Sequence, residues 1–483
     1  MAASVTTAES SGGSMTALRR IKAILGGSAG NLVEWYDWFA YSAFTLYFAP
    51  HFFPKGDLTA QLLQAAAIFA VGFLARPLGA WAMGYYADRF GRRAALVGCV
   101  ALMSVGSFAI AMIPSYATIG VLAPAALMLA RLLQGLSVGG EYGASATYMS
   151  EMAGKTRRGF WSSFQYVTLS GGQLLATVVL LVLQHTLDKA QLQDWGWRIP
   201  FAIGGVLAIV VFFIQANLDE SSSFEAVKAD DRMRLDPQHM RIVLSLLAVA
   251  VALCAGLIWR YGWFAAMTPA VAILVAWQLS LAIPLLKHHR WETLMVAGLT
   301  AAGSLAFYAY TTYMPKFLVN TAHFTKDAAT TVSAGSLLAY MIFQPIMGHL
   351  SDRLGRKTTL ILAFGSGTVL TYPILSSLAH AQSVTTAFLL ATSLCLIHSG
   401  YSSVSAVVKS ELFPTAIRAM GVALPYAIAN TVFGGTAEYV ALWFKTEKLE
   451  SGFYVYVSAV MFVALLIALR IRNTNLLSRI EED

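Results

Sequence analysis

Gly84-Tyr85-Tyr86-Ala87-Asp88-Arg89-Phe90-Gly91-Arg92-Arg93 stands between two long apolar stretches, Gln61 to Met83 and Ala94 to Ile113. The arrangement recurs at Gly348-His349-Leu350-Ser351-Asp352-Arg353-Leu354-Gly355-Arg356-Lys357, again between apolar stretches. A glycine, Asp-Arg four and five residues on, then Gly-Arg-basic, twice at one spacing, is not a chance pattern. Each copy reads as a tight basic hinge. Its glycines permit close backbone approach or positive φ. Its aspartate suits the cap of the next helix or an arginine partner. Its basic residues hold the loop on the cytoplasmic face of a membrane.

Working outward, the composition agrees with a membrane. The chain is 57% hydrophobic and 12% charged, with a mean hydropathy of +0.62, whereas soluble domains carry roughly twice that charge. Apolar runs of about 20 residues match a bilayer's hydrocarbon thickness, and about a dozen are present. The net charge of +8 therefore belongs to loops that set orientation rather than to nucleic-acid binding. Cys99, Cys254 and Cys395 all fall in apolar stretches, with no disulfide or metal spacing. Residues 1–18 are Ser/Thr/Ala/Gly-rich and read as a disordered tail with no cleavable-signal pattern; residues 473–483 form a second tail.

Six apolar stretches occupy the first half, near 24–48, 61–84, 94–113, 119–146, 160–184 and 199–216. Six more occupy the second, near 293–314, 328–350, 358–379, 386–408, 419–443 and 452–471. A second marker repeats with the hinge: Glu151 precedes Arg158 by seven residues, and Glu411 precedes Arg418 by seven. The offsets, 264 residues for the hinge and 260 for this pair, point to parallel repeats. The expected fold is an all-α polytopic membrane protein with six-helix bundles at 19–220 and 292–472.

Between them, the linker 221–291 holds two further apolar stretches, 242–258 and 264–286, joined by Trp259-Arg260-Tyr261-Gly262-Trp263. One added crossing would place the two hinges on opposite faces; two or none keep them together. With both crossing, 23 of the 33 Lys and Arg lie on the hinge side and 8 on the other, Arg76 and Arg131 falling within spans. That imbalance favours fourteen helices with both termini cytoplasmic; a hairpin lying on the membrane is the alternative.

Asn31, Glu34 and Asp37 share one face of the first span, at spacing i, i+3, i+6. Carboxylates there are costly, on the order of 2.5–3.5 kcal/mol each at mid-membrane, so they need a wet cavity or cationic neighbours. A carboxylate whose surroundings alternate between arginine and apolar groups can couple a proton to a substrate. Glu34, Asp37 and Glu141 are the proton-coupling candidates, the bland alternative being ion pairs that lock helices together. Trp35, Tyr36 and Trp38 read as packing residues. Arg76 and Arg131 lie inside the second and fourth spans, and their planar forks suit carboxylates. With Asn31, Gln134, Gln165 and Tyr308 they form the candidate substrate-binding set, internal pairing being the alternative. Lys409 reads as a positive-inside residue. No phosphate loop, His-Glu-x-x-His or Gly-x-Ser-x-Gly appears, so the chain is expected to be neither an enzyme nor dependent on a cofactor, and to draw on the gradient of an ion or of another solute.

The paired hinges resemble the signature loops of the major facilitator superfamily. Gly30-Asn-Leu-Val-Glu-Trp-Tyr-Asp37, Arg76-Pro-Leu-Gly79, Arg131-Leu-Leu-Gln-Gly-Leu-Ser-Val-Gly-Gly-Glu141 and Trp195-Gly-Trp-Arg-Ile-Pro200 resemble its metabolite:proton symporter branch, whose members carry α-ketoglutarate, citrate, shikimate or proline and betaine. Ser163-Phe-Gln165-Tyr-Val-Thr168 and Phe433-Gly-Gly-Thr-Ala-Glu-Tyr-Val440 resemble its α-ketoglutarate carriers. The resemblance spans roughly 19–220 and 294–472, and the 230–290 insert departs from it. It implies two bundles rocking about a central site in a bacterial inner membrane. It also implies proton-coupled import of α-ketoglutarate by a monomer, with Gly84, Asp88, Arg89, Gly91, Arg92, Asp352, Arg353, Gly355 and Arg356 as gating loops. Alternatives are another organic acid, or a receptor that does not transport.

Overall fold

The computed structural model describes residues 17–53, 58–153, 157–220 and 282–471, together with Phe224 and Ser245. Most of both tails, residues 242–258 apart from Ser245, Cys254 and residues 264–281 lie outside them. Each of the twelve apolar stretches expected in the two halves is helical over its described residues. The long helices are α1 (Ala17–Phe52), α2 (Leu58–Phe90), α3 (Arg92–Met112), α4 (Leu122–Met152), α5 (Phe164–Thr186) and α6 (Ile199–Ala216). The second half gives α7 (Arg290–Phe307), α8 (Lys326–Leu354), α9 (Arg356–Ala379), α10 (Val384–Leu412), α11 (Arg418–Ala429 continued by Gly435–Thr446) and α12 (Glu450–Arg470). Among the described residues, nine helical segments are long and apolar enough to cross a membrane by length and composition. Large apolar side chains such as Met112, Val121, Phe213 and Val369 point outward, 62–76% exposed, as lipid contact demands.

Helices end where the sequence supplies a reason. The hinges between α2 and α3 and between α8 and α9 each turn on one residue, Gly91 at φ 110° and Gly355 at φ 90°, a region closed to side chains bearing a Cβ. Gly84 and Gly348 serve close approach instead. A Cβ on Gly84 would stand 2.8 Å from Met420 Cα, and one on Gly348 2.6 Å from the Gly159 carbonyl oxygen. Each hinge is thus pressed against the start of a helix in the other half.

Two helices widen for one turn at mid-depth. Tyr308–Thr312 prolongs α7, and Asn430–Gly434 interrupts α11, each as a π turn. Such a turn inserts an extra residue, breaks the 3.6-residue register and is enriched at functional sites. Here the turns bring Tyr308 and Asn430 to the seam between the halves, where Phe73 of α2 packs on Tyr308 at 6.0 Å and Trp35 of α1 on Phe307 at 6.5 Å.

Both hinges sit at the same end of the bundle. Glu220, just past α6, caps the start of α3 through the Arg92 and Arg93 amides at 3.0 and 3.3 Å. His289, just before α7, meets Phe413 at the end of α10. The chain therefore leaves the first half and enters the second on the hinge side.

Candidate functional site

At mid-depth the first half presents two arginines on a tryptophan. The Arg76 guanidinium carbon lies 4.0 Å from the Trp38 ring centroid and 4.1 Å from that of Phe73. That of Arg131 lies 4.4 Å from both Trp38 and Tyr41. Both arginines are buried, at 1% and 0% exposure, and Trp38 is the shared support that sequence reading assigned to packing alone. Its signal, an aromatic beside Asp37 on the charged helix, was visible but common to many membrane helices.

The two arginines differ in what satisfies them. Arg131 donates from Nη1 to Gln134 Oε1 at 2.6 Å, and Gln134 donates from Nε2 to Asp37. The amide thereby relays a cation to a carboxylate without direct contact, leaving Asp37 Oδ1 and Arg131 Nε and Nη2 without hydrogen bonds. No nitrogen of Arg76 makes a hydrogen bond of good geometry. Across the seam, the Tyr308 hydroxyl interacts with the Arg76 guanidinium and with the Asn430 side chain. Among the described residues neither arginine has a carboxylate within salt-bridge distance, although Arg76 and Glu34, and Arg131 and Asp37, attract each other at longer range. A buried guanidinium without a carboxylate in contact costs several kcal/mol. Facing a phenol and an amide, this one is laid out to receive an anion.

The other candidates fall into two groups. Asn31 and Gln165 satisfy each other: Gln165 Nε2 donates to Asn31 Oδ1 at 3.2 Å, Asn31 Nδ2 to the Gln165 carbonyl at 2.7 Å, and Ser145 to Gln165 Oε1 at 2.9 Å. Their polar capacity ties α1 to α5 and α4. Glu34 accepts from the Ser137 hydroxyl. Glu141 lies deeper in the first half, on the side of Gly30 and beside the Gln215 side chain. Glu34 and Glu141 are close enough to repel, an acidic pair served by few donors.

The hinge side is closed by a crossed set of contacts. Asp88 accepts from the Ala419 and Met420 amides at 3.2 and 3.1 Å, at the start of α11. Asp352 accepts from Gly159 and Phe160 at 2.8 and 2.9 Å, at the start of the chain entering α5. Each aspartate does pair with its own arginine, Asp88 with Arg92 at 3.3 Å and Asp352 with Arg356 at 3.8 Å, but the helix it caps belongs to the opposite half rather than being the next in sequence. Glu151 stands between Arg92 and Arg418, and Glu411 between Arg356 and Arg158. The marker pairs 151/158 and 411/418 thus exchange partners across the seam, which their spacing alone does not reveal. Arg89 and Arg353 are exposed and outside this closure. In this hinge, beyond the membrane-spanning part of α2, burial raises the Asp88 carboxyl to about 6, with Arg92 and the two amides pulling the other way.

Lys409 departs furthest from its sequence reading. It does lie near the hinge-side end of α10, but it is fully buried rather than facing water, and its ammonium donates to the Tyr142 hydroxyl at 3.0 Å.

A helical membrane-spanning frame closed at one end and holding polar groups at mid-depth is that of a transporter of the major facilitator superfamily. It superposes on a proton:xylose symporter of that superfamily bound to 6-bromo-6-deoxy-D-glucose, with a TM-score of 0.73, 18% identity and coverage of 95% of this chain and 96% of that one. The chain belongs to the sugar (and other) transporter family, which it matches over residues 23–234 and 275–474. It is similar to the alpha-ketoglutarate permease of Escherichia coli strain K12, 46% identical over 98% of each chain. It is also similar to the citrate-proton symporter of Klebsiella pneumoniae, 30% identical over 91% of this chain and 90% of that one. It is a multi-pass protein of the bacterial inner membrane and moves solutes rather than converting them.

Proposed function

We propose that this chain imports α-ketoglutarate together with protons by alternating access, with the anion held at the seam by Arg76 and Arg131. The observation that carries this reading is the buried Arg76 guanidinium, with no carboxylate at salt-bridge distance among the described residues and with Tyr308 and Asn430 beside it. A carboxylate there would complete a charge-assisted fork, while phenol and amide suit its second oxygen or a keto group. The 46% identity to a permease named for α-ketoglutarate supports the choice among organic acids.

Coupling follows from the Arg131–Gln134–Asp37 relay. A substrate carboxylate that competes for Arg131 withdraws Coulombic support from Asp37, and a proton on Asp37 restores neutrality. Glu34 and Glu141 supply further acidic positions within the same half. Release of the crossed hinge contacts would open the cytoplasmic face, and their re-formation would close it. The frame comprises two six-helix bundles, 19–220 and 292–472. The stretches 242–258 and 264–286 add two crossings, an even number that returns the chain to the face it left.

Purified protein in liposomes holding a pH-sensitive dye, offered a panel of carboxylic acids, tests the proposal. The expected result is proton uptake on α-ketoglutarate addition, competed weakly by citrate and shikimate, with accumulation of labelled substrate abolished by an uncoupler. Accumulation indifferent to the uncoupler would refute the coupling, and a stronger response to another acid would reassign the substrate.

A further inference from the structure

Lys409 lies on α10 at 0% exposure, in a cage drawn from both halves. Its ammonium is 4.6 Å from the ring centroid of Tyr426 on α11, 5.1 Å from that of Tyr142 on α4 and 5.6 Å from that of Tyr401 on α10. Tyr142 and Tyr426 stack face to face across the seam, centroids 3.5 Å apart and planes 6° from parallel. Of three ammonium protons, one goes to the Tyr142 hydroxyl; among the described residues no carboxylate stands within salt-bridge distance. Glu411, two positions on, is engaged by Arg356 and Arg158.

The depth of this cage gives it a role. Tyr426 precedes Asn430 by four residues, one turn or about 6 Å along α11, and follows Arg418 by eight, about 12 Å. The ammonium therefore lies between the Arg76 cluster and the hinge contacts, on the route that opening of the cytoplasmic side would create. Two of its aromatic supports, Tyr401 and Tyr426, share its half and move with it. The third support and its hydrogen-bond acceptor, both Tyr142, belong to the other. When the halves part there, the stack breaks and Lys409 keeps a cation–π platform while losing its acceptor. A compact ammonium with three free donors then faces the opened route.

We propose that Lys409 is a second anion-binding station, masked by the Tyr142–Tyr426 stack while the cytoplasmic side is closed. It takes a carboxylate of the organic anion as that anion leaves Arg76. This rests on the reading of the chain as an organic-anion importer. A purely structural cation would stabilise the closed seam, so its loss would favour the cytoplasm-open form, lowering half-saturation from the cytoplasmic face and raising it from the external one.

Half-saturation for labelled α-ketoglutarate, measured from each face of oriented proteoliposomes, separates these roles. Lys409→Met is expected to raise the half-saturation concentration about tenfold or more from the cytoplasmic face, as for loss of a hydrogen bond to a charged group. From the external face the change is expected to stay within about twofold. Lys409→Arg, which keeps the charge, should restore the cytoplasmic value to within about threefold. Equal changes at both faces, the opposite changes of a structural cation, or none, overturn the proposal. If Lys409→Met does not reach the membrane, the comparison of Lys409→Gln with Lys409→Arg carries the same asymmetry or its absence. A wild-type protein that moves no organic acid defeats the underlying reading; a wild type that transports while its variants show no asymmetry defeats this inference alone.

Discussion

Replacing Arg76 by methionine should move stability and transport in opposite directions. Arg76 is buried with no carboxylate at salt-bridge distance among the described residues, and a buried ion without a contacting counter-charge costs several kcal/mol. The Trp38 and Phe73 faces at 4.0 and 4.1 Å return about 1–2 kcal/mol each. The balance is unfavourable by on the order of 1–3 kcal/mol, which a flexible apolar side chain of similar length would relieve. Binding changes the sign, because each charge-assisted bond from the fork to a carboxylate contributes about 1.5–3 kcal/mol. Its loss weakens substrate binding by at least about tenfold. Thermal unfolding followed by tryptophan fluorescence, with and without α-ketoglutarate, reads both effects. The wild type should gain about 2.7 kcal/mol at a ligand concentration a hundred times Kd. Arg76→Met should unfold at the same temperature or higher without ligand and lose about half of that gain or more at the same ligand concentration. A variant markedly less stable than wild type that keeps the ligand shift would show that Arg76 is a structural residue and refute the reasoning.

Glu151→Gln should release the closed hinge side: it removes the carboxylate between Arg92 and Arg418, and breaking such buried pairs costs about 3–5 kcal/mol. Distances between spin labels at the hinge-side ends of α2 and α11 should lengthen, and Glu411→Gln should act alike between α8 and α5. Gly91→Ala should destabilise by about 1–3 kcal/mol from its φ of 110°. It should cost more than Gly355→Ala, because the new Cβ would stand 2.1 Å from Glu220 Oε2; thermal unfolding compares the two. The Asp88 carboxyl, at about 6 when capping α11, returns towards about 3.9 when solvated, so the closed form binds its proton more tightly. Closure should be favoured most below about pH 4, and that preference lost as pH rises through 6; in Asp88→Asn the α2–α11 distance should lose this dependence.

Much of the fold was legible because membrane helices are written in contiguous apolar runs, and the expected stretches match the helices to within a few residues at most ends. The hinges were legible because one backbone conformation demands glycine at residues 91 and 355. Partner exchange between Glu151 and Arg158 on one side and Glu411 and Arg418 on the other was not, since sequence spacing ranks near neighbours and the crossing is tertiary. The π turns also escaped reading, because a single extra residue in α7 or α11 leaves hydrophobic periodicity almost unchanged. They decide which side chains reach the seam, and so separate Tyr308 and Asn430 from the other polar residues of their helices. Asn31 and Gln165 looked like ligand contacts for the converse reason. Their mutual hydrogen bonds join residues 134 positions apart.

The most direct measurement is a structure of the protein with α-ketoglutarate bound. The account predicts a carboxylate within about 3 Å of the Arg76 nitrogens, with Tyr308 and Asn430 closing on the same anion and Arg131 drawn from Gln134 towards it. Substrate density elsewhere, with no carboxylate at Arg76, would contradict it.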